Sequence, residues 1–139
     1  MTGVDANVLL RFYIEDKSDR EAIRQRLAAA KLFAEEPLLY VPKTVLLECE
    51  WVMRAVYGYA VAQVAAVFHH LLELKQVRVE DAETVGRALQ AYDKGLDFAD
   101  AMHLASCAAC ESFATFDDRQ FSRRAIKLGL TPICRVPAA

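Results

Sequence analysis

Short apolar runs alternate along this chain with longer segments whose hydrophobic residues recur at helical spacing. The apolar runs predict strands at residues 3–4, 38–41, 77–79, 112–116 and 132–134. The amphipathic segments predict helices at residues 8–13, 18–33, 44–57, 61–72, 81–95, 98–110 and 119–128. Because strands alternate with helices throughout, we expect a three-layer α/β/α fold with a short central parallel sheet and helices on both faces.

Length and composition favour a single domain over residues 1–139. The chain has the usual size of one domain, and its 55% of hydrophobic residues is enough for one core. No apolar stretch is long enough to predict a membrane span. We expect no signal peptide, because Asp5 interrupts the N-terminal residues before an apolar run develops. The four cysteines are expected to be free thiols, which is typical of a cytoplasmic protein.

The charge balance limits how this chain could bind nucleic acid. A formal net charge of −2 argues against binding through an overall positive charge. A local basic rim is compatible with this balance, although the same cations would also suit a solvated face. The C-terminal part has four candidates for such a rim: Arg119, Arg123, Arg124 and Lys127. Three more cations occur near the other acidic segments: Arg11, Lys43 and Arg54.

Four acidic residues occur inside or beside apolar segments, where an unpaired carboxylate is costly to desolvate. They are Asp5, Glu48, Asp100 and Asp117. Asp5 follows the first predicted strand and Asp117 follows the fourth, so both fall where parallel α/β sheets bind ligands. Gathered carboxylates favour a hard divalent cation, Mg²⁺ or Mn²⁺. Proteins that hold such ions with carboxylates usually act on phosphate esters.

Asp5 and Glu48 could each have an ordinary structural role instead of a role at a metal. Asp5 is also a favoured N-cap for the helix that follows it. Glu48 falls at the edge of the apolar stripe of its helix, so we expect it to face the sheet, at a metal or in a buried salt bridge. Glu50, which has Arg54 nearby, is expected on the solvated side.

The acidic residues of the C-terminal half also have more than one possible role. Asp100 lies on an apolar helical face, where either a metal or His103 could be its partner. We expect Asp97 to be the N-cap of the same helix. Of the adjacent Asp117 and Asp118, Asp117 is closer to the end of the predicted strand and is expected to face the site.

Several other enzyme classes find no support in the sequence. There is no Gly-rich phosphate loop. No Ser or Cys stands in an elbow-like turn that would suggest a nucleophilic triad. A phosphatase of the haloacid dehalogenase type would need a second Asp where this chain has Asn7. Cys107 and Cys110 have C-x-x-C spacing, but they lack the second pair of ligands that a zinc site would need.

In four segments, this chain resembles the PIN-domain ribonucleases, and within them the VapC toxins of bacterial toxin–antitoxin pairs. The segments are VDANVLLRF, LLECEWVMRAVYG, GLDFADAMHLA and TFDDRQF, and they span from Val4 to about Lys127. In that family an acidic quartet holds Mg²⁺ or Mn²⁺ and hydrolyses RNA. The matching residues here are Asp5, Glu48, Asp100 and Asp117. Three further residues match supporting positions of the family: Asn7, Thr115 and the additional acid Asp97.

The resemblance also implies partners. It predicts an RNA substrate, a VapB-like antitoxin protein and a homodimer, for which the helices between residues 44 and 74 could supply the interface. Transfer, ribosomal and messenger RNA are all open as the target, and the site could hold one ion or two. The alternative from another class is a non-catalytic PIN-like module that binds RNA or protein without cutting.

Overall fold

Strands and helices follow one another in the order that the sequence predicts. The computed structural model describes residues 1–139, which form five strands and seven α-helices. The chain divides into two compact units, which are Met1–Ala82 and Glu83–Ala139. No helix combines the length and the hydrophobicity that crossing a membrane requires.

The first unit contains a three-stranded parallel sheet in the order β1–β2–β3. Its strands are β1 (Thr2–Gly3), β2 (Leu39–Val41) and β3 (Val77–Val79). Its helices are α1 (Ala6–Tyr13), α2 (Arg20–Glu35), α3 (Lys43–Ala55) and α4 (Val61–Glu73). The register pairs Gly3 with Tyr40, and Leu39 with Val77. This register places the residues that follow β1 beside the end of the central strand.

The core of this unit forms around β2, as a buried parallel strand requires. Leu39 and Val41 have no exposed surface, and the large buried side chains of the neighbouring helices include Leu46, Met53 and Phe68. Helix α2 begins two residues after the predicted start at residue 18, and Asp19 caps it by accepting a hydrogen bond from the backbone N–H of Glu21 at 2.9 Å. Ser18 donates its hydroxyl to Asp16 at 2.6 Å.

The second unit contains a two-stranded parallel ladder of β4 (Ser112–Ala114) and β5 (Ile133–Arg135). Its helices are α5 (Ala82–Asp93), α6 (Phe98–Ser106) and α7 (Arg123–Lys127), with a π-helical turn at Asp118–Ser122 directly before α7. Helix α6 ends at Ser106, four residues before the predicted end. The helix predicted over residues 119–128 is therefore two shorter elements, the π-helical turn and α7.

Aromatic residues make up much of the core of the second unit. Tyr92 of α5 and Phe98 of α6 pack edge to face with ring centroids 5.2 Å apart. Phe113 of β4 and Phe121 of the π-helical turn pack at 5.1 Å. The contact of Phe113 with Phe121 holds the two ends of the segment that carries Asp117, one of the predicted site residues.

Candidate active site

Asp5 occupies the turn between β1 and α1. Its neighbours Val4 and Ala6 are buried, but Asp5 itself is exposed. One carboxylate oxygen accepts a hydrogen bond from the backbone N–H of Ala6 at 2.7 Å, so Asp5 is the N-cap of α1. A carboxylate in this place satisfies an unpaired helix N–H and also interacts favourably with the helix dipole. The capping role that the sequence suggested for Asp5 is therefore present.

Asp5 and Glu48 both act electrostatically on Cys49 of α3. The thiol of Cys49 contacts the carbonyl oxygen of Ala6 at 3.8 Å, which joins α3 to the start of α1. Burial raises the pKa of Cys49 to about 12, and the negative charges of Glu48 and Asp5 contribute to the same shift. The two carboxylates are thus neighbours of one buried thiol within the first unit.

The expected orientation of the two glutamates on α3 is wrong. Glu48 is exposed, whereas Glu50 is only 4% exposed. The buried residues of α3 are Leu46, Cys49, Glu50 and Met53. Glu50 tolerates burial because Arg54, one turn later, forms an ion pair with it. Glu48 is therefore exposed to solvent beside Cys49, and it is not part of the interior of the unit.

Asp97 and Asp100 form a second acidic pair at the start of α6. Asp97 is the N-cap, as predicted, and its carboxylate accepts a hydrogen bond from the backbone N–H of Asp100 at 3.1 Å. Burial raises the pKa of Asp100 above its ordinary value, and the charges of Asp97 and Asp117 raise it further. His103 opposes this effect by favouring the charged carboxylate. Asp100 is therefore a carboxylate crowded by like charges, which favours a bound cation or proton.

Asp117 is fixed by two hydrogen bonds of its own. Its backbone N–H donates to the hydroxyl of Thr115 at 3.0 Å. Its carboxylate caps the π-helical turn by accepting a hydrogen bond from the backbone of Gln120 at 3.0 Å. The carboxylate of Asp118 instead forms an ion pair with Arg123 at 2.6 Å. Of these two adjacent acids, Asp117 is the one whose charge acts on Asp100.

Most of the cations near the acidic segments already have a partner. In the first unit, Arg54 pairs with Glu50, Lys43 lies 3.5 Å from Asp81, and Arg11 donates to Gln25 at 2.9 Å.

The four candidate rim cations of the second unit differ in their ion-pair and hydrogen-bond partners. Arg123 pairs with Asp118, and Arg124 donates to the carbonyl of Gly95 at 2.7 Å. Arg119 and Lys127 are exposed and form no ion pair. Of the four predicted rim cations, only Arg123 is neutralised by a carboxylate, and Arg119 and Lys127 form neither an ion pair nor a hydrogen bond.

The acids offer the donor chemistry that a hard divalent cation requires. All of them supply carboxylate oxygens, and three of these carboxylates are already oriented by a backbone N–H: Asp5, Asp97 and Asp117. Within neither unit do three or more His, Cys, Asp or Glu side chains lie close enough together to hold an ion. The carboxylates of either unit taken alone are therefore too few to hold an ion, and water would have to supply most of its ligands.

None of these acids lines either of two cavities in the structure, one in each unit. A cavity of about 330 Å³ between α1 and α2 is lined by Asn7 and Arg11 but by neither Asp5 nor Glu48. In the second unit, a cavity of about 160 Å³ lies beside Arg87 and Leu104. Because Asp5, Glu48, Asp97 and Asp117 are exposed and Asp100 is only partly buried, their placement suits a long polymeric substrate better than an enclosed small molecule.

Two features of the structure were not anticipated from the sequence. The burial of Glu50 was missed because Arg54 at helical spacing suggested a surface pair. The exposure of Phe116, which is 82% exposed directly before Asp117, was also missed. The signal for Phe116 was an aromatic residue set between the polar residues Thr115 and Asp117 at the end of a strand.

The family model described as PIN domain matches residues 4–127. Because the match covers most of the 139 residues, this chain belongs to the PIN-domain family. PIN domains are typically nucleases, and membership confirms the predicted α/β fold class with its short parallel sheet of three strands. A search of curated proteins finds no significant match to the chain.

Proposed function

We propose that this chain is an endoribonuclease that depends on Mg²⁺ or Mn²⁺ and acts in the cytoplasm as the toxin of a toxin–antitoxin pair. The observation that carries the proposal is the crowding of Asp100 by Asp97 and Asp117: burial raises the pKa of Asp100, and these two negative charges raise it further. A protein gains nothing in stability from like charges held together on its surface. Such groups are typical of sites that bind a cation and act on phosphate esters.

The proposed ligands are Asp5, Glu48, Asp100 and Asp117. Asp5 and Asp117 each use one carboxylate oxygen for a helix cap, which orients the side chain and leaves the other oxygen for a ligand. Asp97 positions Asp100 by accepting its backbone N–H. When bound, the ion supplies an activated water molecule and polarises the scissile phosphate. The role of the protein is to keep the carboxylates charged, oriented and open to the polymer.

The unpaired cations support RNA as the substrate. Arg119 lies two residues after Asp117 and has no acidic partner, so it is available to a phosphate of the backbone. With a net charge of −2, the protein would depend on such local contacts and bind RNA with a modest salt dependence. Transfer, ribosomal and messenger RNA all carry the chemistry that this site would recognise.

The proposal includes two protein partners, a VapB-like antitoxin and a second copy of this chain. The homodimer is supported by apolar side chains left exposed in the segment from residue 44 to residue 74. They are Trp51, Val56 and Val61. Exposed apolar side chains of this kind are common at protein interfaces, where aromatic residues are enriched.

Cleavage of a labelled RNA by the purified protein tests the proposal. Unstructured RNA should be cut with Mg²⁺ or Mn²⁺, and a chelator should stop cleavage. Asp5→Asn and Asp100→Asn should lower the rate by about two orders of magnitude or more, since each removes a metal ligand. Asp19→Asn is the matched control, because Asp19 caps α2 in the same way and belongs to no acidic pair.

Two results would contradict the nuclease assignment. The first is cleavage that survives both substitutions, which would indicate a contaminating ribonuclease. The second is RNA binding without cleavage by the wild-type protein in either metal, which would favour the non-catalytic module.

A further inference from the structure

Phe116 is the most exposed of the large hydrophobic side chains, with 82% of its surface open to solvent. The other phenylalanines of the second unit pack on aromatic rings: the buried Phe98 packs on Tyr92, and the half-buried Phe113 packs on the buried Phe121. The ring of Phe116 contacts no other aromatic ring. An aromatic ring held in water keeps a large apolar face available to a ligand.

The backbone around Phe116 is fixed on both sides. Before it, the N–H of Thr115 donates to the carbonyl of Arg135 at 3.0 Å. After it, the N–H of Asp117 donates to the Thr115 hydroxyl, and the Asp117 carboxylate caps the π-helical turn at Gln120. The ring is therefore presented by an ordered segment, which lowers the entropy cost of binding a ligand.

The neighbours of Phe116 indicate what that ligand is. Apart from Phe116, the exposed positions from Thr115 to Gln120 are polar or charged, so an apolar protein groove covering the ring would also have to desolvate Asp117. A nucleobase avoids this cost, because its flat face covers the ring while its sugar and phosphates stay in water. Arg119, three residues after Phe116 and without an acidic partner, provides the charge that a neighbouring phosphate needs.

We propose that Phe116 is a positioning residue that stacks on one unpaired base of the RNA, next to the phosphodiester bond served by Asp117. Arg119 contacts a phosphate beside that base. This inference rests on the proposed function and narrows its substrate class. A ring can stack on a base only where the base is unstacked from its own neighbours. The substrate is therefore RNA that is single-stranded at the cleaved position, such as a loop or an unpaired end.

Cleavage kinetics on an unstructured RNA oligonucleotide provide the first test. Phe116→Ala should raise KM about 10-fold, with a smaller change in kcat, because stacking contributes mainly to binding. Phe116→Tyr and Phe116→Trp should restore the wild-type KM, whereas Phe116→Leu, which is apolar but cannot stack, should not. Ile126→Ala removes another exposed apolar side chain of the same unit and is the matched control.

A series of RNAs with one abasic position each locates the stacked base. For the wild-type protein, one abasic position beside the cleaved bond should raise KM as much as Phe116→Ala does. For Phe116→Ala, the same abasic RNA should have no further effect, since the partner of the missing base is already gone. Equal sensitivity of both proteins to every abasic position would overturn the inference, as would full rescue by leucine.

A binding test separates this inference from the nuclease proposal. Trp51 is the single tryptophan, so Phe116→Trp combined with Trp51→Phe places one fluorophore at the site. Asp100→Asn in the same protein prevents cleavage. An RNA oligonucleotide should quench this tryptophan, and its abasic counterpart should not. If intact RNA quenches the tryptophan but the wild-type protein does not cleave RNA, the stacking inference is supported and the nuclease proposal is refuted. If intact RNA does not quench the tryptophan, the stacking inference is overturned.

Discussion

Arg54 donates two hydrogen bonds to the carboxylate of Glu50, which lies one turn earlier on the same face of α3. Glu50 is buried, and 40% of the Arg54 side chain remains exposed, so the ion pair lies at the rim of the core. In such a pair, losing one partner leaves the other without compensation in a poorly solvated place. Glu50 therefore has a structural role, while the exposed Glu48, two residues earlier, is free for chemistry.

The first prediction separates these two glutamates. Glu50→Gln should lower the free energy of unfolding by about 1–3 kcal/mol, because Arg54 loses its ion pair with Glu50. In metal-free protein, Glu48→Gln should change it by no more than about 0.5 kcal/mol, as is usual for exposed positions. Urea unfolding of both variants measures the difference. RNA cleavage should respond the other way, with the larger loss of rate in Glu48→Gln.

The second prediction separates capping from charge at Asp5. Asp5→Asn keeps a good N-cap and should leave stability nearly unchanged, whereas Asp5→Ala should cost about 1 kcal/mol. Both substitutions should lower the cleavage rate by about two orders of magnitude or more, since both remove the negative charge. Thermal unfolding and a cleavage assay on the same preparations provide the comparison. An active Asp5→Asn protein would show that the charge of Asp5 is not needed.

The third prediction concerns the dependence of stability on pH. Because the pKa of Asp100 is raised in the folded protein, Asp100 favours folding most below its unfolded pKa, and this contribution is lost as the pH rises through the folded pKa. Asp100→Asn should therefore raise the Tm of metal-free protein at pH 7 and have less effect near pH 3. Asp16→Asn should lower the Tm at pH 7, because hydrogen bonds from Ser18 lower the pKa of Asp16. Matching pH profiles for the two variants would contradict the assignment.

The fourth prediction is metal-induced stabilisation. Mg²⁺ or Mn²⁺ at 100 times its dissociation constant should stabilise the protein by about 2.7 kcal/mol, because binding favours the folded state. The Asp5→Asn, Asp100→Asn double variant should lose most of this gain while keeping its fold by circular dichroism. An unchanged gain in the double variant would place the ion elsewhere.

The fifth prediction concerns growth. Expression of the wild-type chain alone in bacteria should arrest growth and translation, because no antitoxin is present to neutralise it. Asp100→Asn should be tolerated at the same protein level, and Asp19→Asn should arrest growth like the wild type. Colony counts with immunoblots of protein level measure this. Equal arrest by the wild type and Asp100→Asn would show that the acidic residues are not the cause.

The sequence predicted the order of the elements well, because short β-rich runs and amphipathic segments differ in both length and period. It also predicted the cap at Asp97, since an Asp before an apolar helix has few other roles. It failed on α3, which carries apolar residues on more than one side: Trp51 is exposed and Met53 is buried. The sequence pattern of Glu50 and Arg54 is that of an ordinary surface pair. Burial of such a pair depends on tertiary packing, which no local pattern records.

The loop after β4 shows a second limit of prediction from the sequence. The chain forms a π-helical turn there because Asp117 caps it and Phe121 fills the core against Phe113. Each of these interactions is weak on its own, and a helical period alone predicts one continuous helix. The exposed Phe116 lies directly before the residue that caps this turn.

The caps at Asp5, Asp97 and Asp117 have a genetic consequence. A single base change converts an aspartate codon into an asparagine codon, and asparagine caps a helix about as well as aspartate does. Under the proposed function, mutations that silence the enzyme at these positions would yield intact protein instead of unfolded protein. Such alleles would still occupy an antitoxin or an RNA. We therefore expect that many escape mutants from a toxicity selection will be dominant competitors of the active protein.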